Sequence, residues 1–203
     1  MAEPALILPK RDDGRIWPAQ GEWTYEDYLR LPDDGQRYEV IWGHLYVTPP
    51  PDYRHQFASS VLVRSLGNLV HQNRLGVVLG APFGIRLPRE ISNPVEPDVI
   101  FFRTGNLPGD DDKVFSGVPD LVIEILSPSI RRRDEGVKLE AYLAAGVPEY
   151  WLVDPKARTV RVHRLEKGKG YAKLGCFGMG EMVQSPALPE LRLEVAELFV
   201  LPE

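Results

Sequence analysis

The chain has 203 residues, 43% of them apolar and 26% charged, with a formal net charge of -5; this is a globular profile with a sizeable core, not a disordered or fibrous one. The acidic balance excludes a protein coated in positive charge that binds nucleic acid indiscriminately, while leaving room for a local basic groove. With Cys176 as the one cysteine, an intrachain disulfide and a cysteine zinc site are both excluded.

The apolar run near the N-terminus is too short for a signal-peptide core, and no other run approaches the length needed to span a bilayer. A cytoplasmic location is therefore expected. Residues 1–20 mix prolines and charges with few anchors and read as an extended lead-in, leaving residues 21–203 as a single domain.

Thr24 with Asp27 three positions later signals a short helix ending before Pro32. Arg37 to Val47, RYEVIWGHLYV, has the alternation of a hairpin turning near Trp42 and Gly43, with Glu39 on the face opposite Tyr38 and Val40. After the Pro49–Pro51 run, Leu62, Leu66 and Leu69, widened by Val61 and Val70, form the stripe of a long helix over about 54–74 that packs on a sheet. Residues 75–79 and 83–87 read as two strands around a Gly-Ala-Pro turn, and EPDVIFF as a third with Asp98 at its start. Residues 104–117 form a long polar loop with three successive aspartates.

The stretch from Pro119 to Pro155 reads as strand, loop, short helix, strand, which implies a parallel pair joined by a right-handed crossover. Leu121, Ile123 and Ile125 share one strand face; Val122, Glu124 and Leu126 share the other. Both faces are apolar except for Glu124, and a buried unpaired carboxylate costs several kcal/mol. A metal ion, a cation or a raised pKa could each compensate it. Beyond this stretch, 159–165 and 171–174 read as paired strands, and Leu191, Leu193 and Val195 suggest one more.

Asp98 and Glu124 lie on segments able to neighbour each other in one sheet, and two carboxylates completed by waters suit Mg²⁺. Asp134 and Lys138, at i and i+4, share a helix face that can look back at the strand. Two carboxylates and a lysine around a divalent ion are a minimal set for phosphodiester hydrolysis. The competing readings are an Asp98 that serves a local backbone donor, a buried Glu124–Lys138 ion pair without catalysis, and a solvated helix lysine. The Arg131, Arg132 and Arg133 run could contact DNA phosphates or be a solvated loop. No nucleophile elbow, phosphate-binding glycine loop or histidine metal spacing is present.

RYEVIWGHLYV, the ProProProAspTyrArgHis run, EPDVIFF, PDLVIEILSPS and GVPEYWLVDP together closely resemble the Uma2 (DUF820) family of restriction-endonuclease-like proteins in the PD-(D/E)xK nuclease superfamily, over about residues 25–199. The resemblance implies an α/β (α+β) fold with a restriction-endonuclease-like αβββαβ core, a mixed sheet with flanking helices, and extra N- and C-terminal strands. It further implies a Mg²⁺-dependent (or Mn²⁺-dependent) endonuclease acting on DNA, with Asp98 and Glu124 as metal ligands aided by the Ile125 backbone carbonyl. Leu126 stands where the superfamily's usual lysine would, and Lys138 is the matching family position. Glu39 and His55 also match family positions near the site. A homodimer suits a cutter of duplex DNA, which needs two sites for two strands. The alternative is a catalytically silent nuclease-fold protein that binds DNA or serves as an accessory.

Overall fold

The structure, a computed structural model, describes Leu8, Gly14, residues 16–128 and residues 131–201. Most of the lead-in read over residues 1–20, and Ser129 and Ile130 in the loop before the short helix, lie outside the described residues.

A short helix α1 (Tyr25–Tyr28) begins where expected, because Thr24 and Asp27 cap each other's backbone N–H groups. β1 (Arg37–Ile41) and β2 (His44–Thr48) form an antiparallel hairpin. Its two turn residues, Trp42 and Gly43, have φ of 53° and 70°, the left-handed pair whose twist matches that of the strands. A side chain at Gly43 would meet Gly21 O at 2.4 Å, so only glycine fits there. α2 (Tyr53–Gln72) starts at Asp52, whose side chain accepts from His55 N at 2.9 Å, and buries Ala58, Val61, Leu62, Leu66 and Val70.

The remaining elements are β3 (Gly76–Gly80), β4 (Gly84–Arg86), β5 (Val99–Arg103), β6 (Val114–Ser116), β7 (Leu121–Ile125), α3 (Arg131–Arg133), a π-helical turn (Asp134–Lys138), α4 (Leu139–Ala145), β8 (Glu149–Asp154), β9 (Thr159–Glu166) and β10 (Gly170–Phe177). A short 3₁₀ turn (Val195–Leu198) follows. Gly146, at φ 88°, ends α4, and the Val147 N–H folds back onto Tyr142 O at 3.0 Å.

Six strands make the central sheet in the order β10-β9-β8-β7-β5-β3. β7 and β8 are parallel, as the strand–helix–strand pattern requires, and the other neighbours are antiparallel. Along the chain, α2, β3, β5, β7, the α3–α4 segment and β8 give the αβββαβ succession, with β1–β2 and β9–β10 as the extra strands.

Two expectations are corrected. The segment read as a loop over 104–117 contains β6, which pairs in parallel with β4 apart from the central sheet. Ile85 and Phe115 are buried in one apolar cluster with Ile100 and Phe102, so burial on the sheet face holds this small ladder. Leu191, Leu193 and Val195 form no strand: they alternate because each faces the core, while the segment makes one bridge, Met182 to Glu194, before the 3₁₀ turn.

The sheet is covered on both faces. Leu121, Ile123, Ile125, Trp151 and Val153 pack beneath α2 and the C-terminal segment. Val122, Leu126, Tyr150 and Leu152 pack on the other face with Tyr142 of α4, Ile41 and Ile85. Each such side chain, fully buried, contributes about 1.5–3 kcal/mol. Glu124 occupies this second face, under α4. Among the described residues no helix is long and apolar enough to cross a membrane.

Candidate active site

The β5–β7 ladder pairs Val99 with Ile123, and one further position along it places Asp98 opposite Glu124. Asp98 precedes Val99, the first residue of β5, so the Ile125 N–H of β7 has no ladder partner on that side; Asp98 Oδ2 accepts it at 2.8 Å. The same oxygen lies 3.2 Å from His55 Nε2 at the start of α2. His55 is thereby raised above its ordinary pKa: burial alone would lower it, but the bond and charge of Asp98 outweigh burial.

Glu124 is fully buried, and among the described residues its hydrogen-bond partners are all on Oε1. Lys138 Nζ donates at 2.9 Å and Tyr142 OH at 2.7 Å. Lys138 and Tyr142 are four residues apart across the junction of the π turn and α4, so they hang over one strand position together. Glu124 Oε2 is buried with no hydrogen-bond partner among the described residues. Burial, with the charges of Asp98 and Glu39, pushes the Glu124 carboxyl up to about 7 against the pull of Lys138.

Lys138 is 2% exposed and also bonds Glu39 Oε1 at 2.9 Å, with Asp134 Oδ1 at 3.9 Å. Burial would lower this ammonium, but Glu124, Glu39 and Asp134 raise it, so Lys138 stays charged. Glu39 arrives from β1 and is held by Glu96 N at 2.9 Å, Thr48 Oγ1 at 3.0 Å and Arg133 at 3.4 Å. Burial raises the Glu39 carboxyl, yet Lys138 and Arg133 more than offset it and bring it down to about 2. Asp134 is buried too; among the described residues neither of its carboxyl oxygens has a hydrogen-bond partner, and burial holds its pKa well above the usual range.

The structure thus brings Asp98, Glu124, Lys138, Glu39 and His55 into one connected cluster. The three arginines diverge. Arg133 is buried, with its guanidinium donating to Thr48 at 2.8 Å and lying over the Tyr46 ring, so it faces the protein and not a phosphate. Arg131 bonds Asp154 at 2.8 Å and approaches Glu135 at 3.4 Å. Of the three, Arg132 alone is exposed. Sequence reasoning missed Tyr142 and the inward turn of Arg133; the spacing of Tyr142 four residues after Lys138 is the signal for the first.

Another strand glutamate supplies the contrast. Glu149, at the start of β8, is also buried, but Oε1 accepts from Trp151 Nε1 at 2.6 Å and Ser185 Oγ at 2.7 Å, and Oε2 from Ala187 N at 2.7 Å. Glu149 is satisfied by the fold on both oxygens; Glu124 is not.

Next to the cluster is a groove of about 450 Å³ lined by Asp52, Arg54, His55, Leu126, Arg131 and Lys156, among others. His55, which lines it, is bonded to Asp98. Among the described residues no three histidine, cysteine or acidic side chains converge as a metal-binding group. The oxygen-only pair of Asp98 and Glu124, with an orphaned buried Oε2, suits a hard divalent cation that takes its remaining ligands from water.

The Uma2 family, described as "Putative restriction endonuclease", matches residues 25–196. The chain belongs to the Uma2 family. Among solved structures, this Uma2 chain is similar to a crystal structure from Anabaena variabilis described as "a putative nuclease belonging to DUF820". The TM-score is 0.73 with 25% sequence identity, covering 87% of this chain and 97% of that one. The restriction-endonuclease-like fold is common to both. No curated protein matches the chain.

Proposed function

We propose that this Uma2 protein is a Mg²⁺-dependent endonuclease that hydrolyses DNA phosphodiester bonds, with Mn²⁺ able to replace Mg²⁺. The observation that carries the reading is the unpartnered, buried Glu124 Oε2 set across the strand register from Asp98, beside a charged lysine. A structural glutamate would be satisfied as Glu149 is.

Asp98 and Glu124, with the Ile125 backbone carbonyl, would hold the cation, which when bound supplies Lewis-acid charge to phosphoryl oxygens. The chain's own residues fix the rest. Ile125 N and His55 hold Asp98 in one orientation, and Tyr142 with Lys138 does the same for Glu124. A lysine ammonium has three donors. Among the described residues two are used at 2.9 Å and Asp134 is beyond hydrogen-bond distance, which leaves one N–H of Lys138 for a water or for charge developing on the phosphate. A homodimer would present two such sites to the two strands of a duplex.

Calorimetric titration tests the site itself. Mg²⁺ or Mn²⁺ binds the parent chain, and Asp98→Asn and Glu124→Gln each abolish the binding; equal uptake by all three proteins overturns it. One set of contacts favours the catalytically silent reading: Lys138, Glu39, Arg133 and Tyr142 form a buried bonded network able to serve structure alone. DNA binding without metal uptake or cleavage is its signature.

A further inference from the structure

The chain carries a net negative charge, yet its cations are not spread evenly. Arg54 and Pro155 line both the 450 Å³ groove and a small adjoining hollow that continues past Phe57 to Arg158. Lys156 lies on the groove side of this shared boundary and Arg158 on the hollow side. Arg54, Lys156 and Arg158 are all exposed, and among the described residues none of the three has a carboxylate partner. Three neighbouring cations without a carboxylate partner make a local positive patch that attracts an anion.

The turn that carries two of them is built to be rigid. Asp154 Oδ1 accepts from Lys156 N and Ala157 N, each at 3.0 Å, while Asp154 Oδ2 takes Arg131 at 2.8 Å. Arg131 therefore braces the turn against α3. Asp52, which also lines the groove, is engaged through the bond that caps α2.

We infer that Arg54, Lys156 and Arg158 form a phosphate-binding track for the DNA backbone, leading along the groove to the His55–Asp98 end of the site. The inference rests on the nuclease reading and extends it to the surface that holds the substrate. Phosphate contacts of this type fix register on the nucleic acid without reading sequence. Arg131 has a different role from its neighbours in the groove: it is a positioning residue that holds Lys156 and Arg158 in place.

The test is fluorescence anisotropy with a labelled duplex of arbitrary sequence and the matching single strand, in EDTA so that cleavage is silent, over a series of salt concentrations. Removing one duplex phosphate interaction lowers the slope of log K against log salt by about 0.9, so Arg54→Ala/Lys156→Ala/Arg158→Ala should lower it by about 2.7. Between 50 and 200 mM salt the parent then loses roughly 40-fold more affinity than the triple variant. Lys113→Ala, an exposed lysine on the 104–117 segment, leaves the slope unchanged, and the charge-preserving Arg54→Lys/Lys156→Arg/Arg158→Lys largely restores it. A triple variant that binds with the parent's affinity and slope overturns the track while leaving the nuclease reading standing. A parent that binds neither DNA form in EDTA also overturns the track, whereas the nuclease reading stands or falls on metal titration and plasmid cleavage.

Discussion

Lys138 Nζ sits 2.9 Å from Glu124 Oε1, a fully buried ion pair that spans the parallel crossover from β7 to the π-helical turn. The pair is shared, since Glu39 reaches the same ammonium from the β1–β2 hairpin. Three separate parts of the chain therefore depend on one nitrogen. π-helical turns of this kind occur frequently at functional sites.

Removing that nitrogen leaves buried Glu124 without its cation and leaves Glu39 with Arg133 alone. Breaking a buried pair from one side costs about 3–5 kcal/mol, so Lys138→Met should lower the unfolding free energy by about that amount in urea at neutral pH. An unchanged urea midpoint would show that the cluster is wet and loosely held.

The two acids on Lys138 respond to pH in opposite senses. Glu39 has a depressed pKa, so its contribution is present above the unfolded carboxyl range and is lost as pH falls towards about 2. Glu124 is raised to about 7, so the folded state holds a proton that the unfolded state has released; stability is fully present below the unfolded value of about 4.5 and is lost as pH rises through about 7. Asp134 is shifted in the same direction as Glu124. Stability should therefore peak in the mildly acidic range and fall, on the order of 3 kcal/mol for Glu124, between pH 5 and 8. Chemical denaturation at these two pH values checks this, and Glu124→Gln should flatten the slope. A parent equally stable at both values contradicts it.

Glu149 provides the matched control. Glu149→Gln sets an amide against Trp151 Nε1, Ser185 or Ala187 N, and mispairing a buried hydrogen-bonded group costs about 1–3 kcal/mol. Thermal unfolding should register the loss, whereas metal titration should not change. A loss of metal binding in Glu149→Gln would show that buried strand carboxylates in this fold act together and that Glu124 has no special place.

Much of the fold, and the residue types of the candidate site, are legible in the amino-acid sequence. Glu124 stands out because β7 alternates cleanly and a carboxylate interrupts its apolar face; α2 is legible because Val61, Leu62, Leu66, Leu69 and Val70 keep helical spacing; the β7–β8 crossover follows from strand, helix, strand. The β4–β6 pair is not legible, since two three-residue strands carry too little periodicity to distinguish from loop. Leu191 to Val195 mislead for the opposite reason: alternation reports burial on one side, and burial does not require a ladder. The site residues are recognisable by type but their pairing is not, because Arg133 and Tyr142 become partners of Glu39 and Glu124 only through contacts between segments distant in sequence.

The most direct measurement is cleavage of supercoiled plasmid DNA by the purified chain in Mg²⁺ and in Mn²⁺, run beside Asp98→Asn, Glu124→Gln and Lys138→Met. Nicked or linear DNA should accumulate with the parent, disappear in EDTA, and fall by about 100-fold or more with each variant. Plasmid left intact by a folded parent in both metals, or cut equally well by Glu124→Gln, would contradict the assignment of this cluster as a nuclease site.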